Sequence, residues 1–93
     1  MIMTTQRLCI VFEATNRTLH ESFIATSSLP LDIVRRRHQE TPPTSIAHWM
    51  PDHEILYTIV ASGLSLQDAP AFLKGYGQTA VKFGWKVVTD NWQ

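Results

Sequence analysis

The sequence predicts an α+β domain of the order ββαβα with a last edge strand: a small, mostly antiparallel sheet covered by helices. Three observations predict it. Two runs rich in β-branched and aromatic residues stand near the start, separated by four polar residues; two later stretches carry apolar residues three and four apart; and a short apolar run lies between those stretches. The 93 residues, 44% hydrophobic and 17% charged, leave room for one domain over 1–93. A chain of this length buries roughly 60 to 70% of its unfolded surface, enough for a core without disulfide or metal staples.

Leu8 to Ala14 and Leu19 to Thr26 read as strands, the second by strict alternation. Thr15-Asn16-Arg17-Thr18 between them is a polar turn, with Asn16 suited to a left-handed position, so the pair forms an antiparallel hairpin. Ser27 or Ser28 caps a helix with Pro30 in its first turn and Asp32 near its positive end, ending before Pro42-Pro43. Steps of about 100° put Pro30, Leu31, Ile33 and Val34 on one stripe continued by Arg37 and His38, leaving Arg35, Arg36 and Gln39 in water. Thr41 to Asp52 reads as a loop pinned by Trp49.

His53 to Ser62 reads as a buried, central strand. Gly63 breaks it, and Ser65-Leu66-Gln67-Asp68 has the form of a helix start. Leu66, Ala69, Pro70, Leu73, Tyr76, Gly77, Ala80 and Val81 then mark a helical core face beginning near Asp68, with Gly75 a place where it can break. Gly84 stops that helix, and Trp85 to Thr89 forms the edge strand. Val34, Ile33, Ile59, Leu73 and Phe12 are the expected core.

Eight Lys plus Arg against eight Asp plus Glu give no net charge, which argues against a DNA binder that works through its whole surface. Cys9 is the lone cysteine, so it makes no internal disulfide or thiolate-rich zinc site and reads as a small buried hydrophobe. The first residues lack a signal-peptide pattern, and Glu13, Arg35 and Lys74 interrupt every apolar run, so the expectation is a cytoplasmic protein without a membrane span.

Arg35-Arg36-Arg37-His38 is the one dense cationic cluster, a candidate for phosphate or nucleic-acid contact because guanidiniums fork onto phosphates. Its competing reading is a solvated helix face paired locally with Asp32 and Glu40. His48, Asp52, His53 and Glu54 have metal-ligand chemistry but no spacing that fixes a geometry, so no metal site is assigned. No Gly-rich phosphate loop follows a strand, no nucleophile sits beside a base in a known arrangement, and no cofactor is expected. Trp49, Trp85 and Trp92 are candidate anchors for a protein partner.

Ile10-Val11-Phe12, Phe23-Ile24-Ala25-Thr26, Arg35-Arg36-Arg37-His38, Ser65-Leu66-Gln67-Asp68-Ala69 and Gly84-Trp85-Lys86-Val87-Val88, in this order, resemble the GIY-YIG nuclease domain across roughly Arg7 to Asp90. The resemblance implies that fold. In the family, two motif tyrosines, a helix arginine and a metal-binding glutamate on the second helix carry phosphodiester cleavage. Here Phe12 and Phe23 stand at the tyrosine positions, Ala25 at a motif glycine and Val34 where the arginine belongs, with Arg35 the nearest substitute. No carboxylate follows Asp68 before Asp90. These departures imply a domain that has kept the fold and lost the reaction, serving as a protein-interaction or regulatory module, with nucleic-acid binding or a divergent endonuclease as the alternative. Net neutrality tilts the expectation towards an unidentified protein partner.

Overall fold

The computed structural model describes residues 8–90. Its elements are β1 (Leu8–Asn16), β2 (Glu21–Ser27), α1 (Leu31–Glu40), a single 3₁₀ turn (Thr44–Ile46), β3 (Ile55–Ser65), α2 (Ala69–Lys82) and β4 (Lys86–Asp90). They form an α+β fold around one four-stranded sheet of order β3-β1-β2-β4. β1 pairs antiparallel with both β2 and β3, whereas β4 pairs parallel with β2. The sheet is therefore mixed, because β4 returns to it only after the α2 crossover.

Alternation of side chains across β1 and β2 separates two cores. Cys9, Val11 and Ile24 pack against Ala69, Leu73 and Ala80 of α2. Phe12, Ala14, Phe23 and Ala25 project from the opposite face and pack against Val34 of α1 and Ile46 of the 3₁₀ turn. Both central strands are thus covered on both sides, and every residue of β2 is buried. Among the described residues no helix is long and apolar enough to cross a membrane.

Several expectations change. β3 is an edge strand and not the central one: Ile59 is 47% exposed, because the apolar run ends on a strand with only one neighbour. Val34, Leu73 and Phe12 are buried as expected, and Ile33 only in part. β1 continues through Asn16, and the left-handed residue of the turn is His20 (φ 57°). Asn16 serves the turn by its side chain, whose Oδ1 accepts the Leu19 N–H at 3.1 Å.

Neither serine caps α1. Pro30 holds the cap position, its carbonyl accepts the N–H groups of Ile33 and Val34, and the Ser27 hydroxyl instead accepts the Leu29 N–H at 2.9 Å. Pro30 and Arg37 leave the predicted stripe and are exposed; of that stripe only Val34 and His38 are buried. α2 runs unbroken through Gly75, preceded by the expected Ser65 hydroxyl accepting the Asp68 N–H at 3.2 Å. Its inner face is Ala69, Leu73, Gly77 and Ala80, with Leu66, Pro70 and Val81 exposed. At Gly77 α2 packs on β4: a Cβ there would lie 3.4 Å from Thr89 and 3.6 Å from Val87, ordinary contact distances.

Candidate functional site

The α1 face of the sheet holds the molecule's concentration of aromatic and titratable side chains. Val34 and His38 lie one helical turn apart, so both point at the sheet. The His38 ring sits 5.9 Å from Phe12, 5.8 Å edge-on from Phe23 and 5.7 Å from Tyr57 of β3. Its Nδ1 is 2.8 Å from the Tyr57 hydroxyl. Burial pushes the Tyr57 phenol up to about 12 although the charge of Arg35 opposes this, so the hydroxyl keeps its proton at neutral pH and can donate to the imidazole.

The segment between α1 and β3 forms a wall beside this pair. Ile46 anchors it in the core. Glu21, buried at the start of β2, accepts His48 Nε2–H at 2.6 Å and the Trp49 indole N–H at 3.2 Å through one oxygen. Burial acts to raise the Glu21 carboxyl, but hydrogen bonds from His48 and Trp49 and the charges of His48 and Lys86 outweigh it and hold the carboxyl below its ordinary value. Further along, His53 Nδ1 meets the Asn16 amide at 2.9 Å and the Met50 N–H at 3.1 Å.

α1, this wall and β3 enclose an open cleft of about 450 Å³, lined among others by Arg35, His38, Trp49, Met50, His53 and Tyr57. Arg35 also joins Arg36 along an adjoining depression with Asp32 and Tyr57. Arg37 lies round the helix beside Glu40 and Thr41. The cationic cluster is thus split: Arg35 lines the cleft and shares the adjoining depression with Arg36, Arg37 stands apart, and His38 is buried. None of the three guanidiniums forms an ion pair with a carboxylate among the described residues.

The tryptophans have internal employment. Trp49 is half-buried and bonded to Glu21, and Trp85 stacks on His20 with ring centres 4.0 Å apart. Trp92 lies outside the described residues. His48, Asp52, His53 and Glu54 do not converge, since His48 turns to Glu21, His53 to Asn16, and Glu54 to Arg17 at 3.5 Å. Among the described residues no three His, Cys, Asp or Glu side chains stand close enough to hold a metal ion.

Phe12 and Phe23 lie 6.2 Å apart and fully buried. Tyr57, Glu21 and Asn16 are the site residues that sequence reasoning missed; a lone tyrosine, glutamate or asparagine on a strand gives no spacing from which its partners can be read. Comparison with protein-family models, with curated proteins and with solved structures yields no match.

Proposed function

We propose that this domain binds nucleic acid through Arg35, Arg36 and the adjoining cleft, and does not cut it. The observation that carries this reading is two exposed guanidiniums, without carboxylate partners among the described residues, beside an open cleft lined by Trp49 and Tyr57. Single-stranded nucleic acids are held by this combination, a cationic track for phosphates and aromatic surfaces for bases. A local patch needs no positive net charge. The cleft is apolar in part, through Ile46, Met50 and Ile55, which suits an unpaired base better than the phosphate ridge of a duplex.

The positions that the GIY-YIG resemblance assigns to tyrosines carry phenylalanines without a hydroxyl, and α2 contains no carboxylate. The test is incubation of single- and double-stranded DNA and RNA with the protein and Mg²⁺ or Mn²⁺. Intact substrate is expected. Metal-dependent cleavage lost in Arg35→Ala or His38→Ala would refute it. The protein-interaction reading has less support in the described residues, because Trp85 is stacked on His20 and Trp92 lies outside them.

A further inference from the structure

The wall of the cleft is held by two histidines five residues apart whose hydrogen bonds respond to protons in opposite ways. Asn16 is fully buried, and its Oδ1 is occupied by the Leu19 N–H, which orients the amide so that Nδ2 donates towards His53. The Met50 backbone N–H can only donate, and it points at the same ring nitrogen, 3.1 Å away. His53 Nδ1 therefore accepts from two donors, which requires the neutral ring carrying its proton on Nε2. His48 is the reverse case. Its Nε2–H donates to the Glu21 carboxylate, a contact that a positive imidazolium strengthens.

The geometry points to an acid-operated clasp in the cleft wall: protonation of His53 Nδ1 ejects the Met50 N–H and the Asn16 amide, releasing Met50–His53, while His48 and Trp49 stay fixed to Glu21. Segment 50–53 then moves about an anchored Trp49. Met50, Pro51 and His53 all line the cleft, so its outer side is reshaped while the His38–Tyr57 side is left in place. The charged and titratable groups around His53 are Arg35 and His38 of α1 and Tyr57 of β3 across the cleft, Arg17 at the end of β1 with its ion-pair partner Glu54, Asp52 in the loop, and the His48–Glu21 pair. None supplies Nδ1 with an acceptor in the observed arrangement. The clasp belongs to the protein's own hydrogen bonds and operates whatever occupies the cleft.

NMR of the whole chain tests it as pH is lowered stepwise from neutral. The Met50 backbone amide and the Asn16 side-chain amide are expected to shift with the same midpoint as the His53 ring, while the Trp49 indole N–H keeps its position. Exchange of the Met50 amide should accelerate roughly tenfold relative to that of Trp49, the scale of one lost hydrogen bond. In His53→Asn, whose side-chain oxygen can replace Nδ1 as an acceptor but does not titrate, both shifts should vanish. Titration of His53 without movement of the Met50 and Asn16 signals would overturn the clasp, and so would an unchanged pH response in His53→Asn. Should that variant fail to fold, the titration of the parent protein decides alone.

Discussion

The two faces of the sheet are built from the same strands and differ in kind. On the α2 face, Cys9, Val11, Ile24, Ala69, Leu73 and Ala80 make a mostly aliphatic core. Its polar feature is Glu13, which accepts the Ser22 hydroxyl at 2.7 Å and the Tyr76 hydroxyl at 3.0 Å. The α1 face packs aromatic rings around a buried histidine and continues into the Glu21, Asn16, His48 and His53 network. An aliphatic face gains from burial and needs little geometry, whereas every buried polar group on the other face must be matched by a partner. The matching is complete, for no buried side-chain nitrogen or oxygen lacks a hydrogen bond among the described residues. The α2 face accordingly supplies stability, and the α1 face combines stability with a shaped polar site.

Substitutions can break that division. The largest effects are expected for Phe23→Ala on the α1 face, about 3 to 5 kcal/mol, and Leu73→Ala on the α2 face, about 2 to 5 kcal/mol, both as losses of unfolding free energy in denaturant titration. Phe23→Ala should also perturb the His38–Tyr57 pair, while Leu73→Ala should leave it intact by NMR. By contrast Ile59→Ala, on the exposed edge strand, should cost less than about 1 kcal/mol. A cost comparable to that of Leu73→Ala would mean that β3 is covered in solution. In the other direction, a Cβ at Gly75 meets nothing within 4 Å, so Gly75→Ala should stabilise α2 by about 0.5 to 1 kcal/mol without touching the α1 face.

Smaller effects depend on pH. Glu21, held below its ordinary value of 4.5, contributes stability that is present above that value and is lost as pH falls through its lower folded value. Glu21→Gln should flatten the acid limb of the stability profile, followed by denaturant titration at stepped pH. One tyrosine lies on each face: Tyr57 is pushed up to about 12 by burial, and Tyr76 to about 12 by burial first, then by its hydrogen bond to Glu13 and that group's charge. Raised phenol values favour the folded state at neutral pH, a contribution lost progressively between about 10 and about 12. Tyrosinate absorbance should thus appear about two pH units later in the folded than in the unfolded protein.

Legibility in the sequence followed locality. The hairpin, both helices and the last strand were readable because their signals, alternation, three-and-four spacing and the Ser65–Asp68 start, lie within one element. Strand order was not, and so β3 was misplaced: an apolar run such as Ile55 to Val60 suits a buried centre or an edge equally until its neighbours are known. The cationic half of the site was legible as Arg35-Arg36. Its other half was not, because Tyr57 meets His38 across 19 residues and Asn16 meets His53 across 37, and no local pattern encodes such pairs.

In the proposed function the α1 face and its rim bind nucleic acid while the α2 face only stabilises. Its most direct test is fluorescence anisotropy of labelled single- and double-stranded oligonucleotides at low salt, comparing the parent with the Arg35→Ala, Arg36→Ala double variant and with Gly75→Ala. Saturable binding tighter on single strands is expected, lowered at least about tenfold in the double variant with a salt slope smaller by about two, and unchanged in Gly75→Ala. Affinity weaker than about 10⁻⁴ M for every oligonucleotide, or equal affinity in the parent and the double variant, would contradict it.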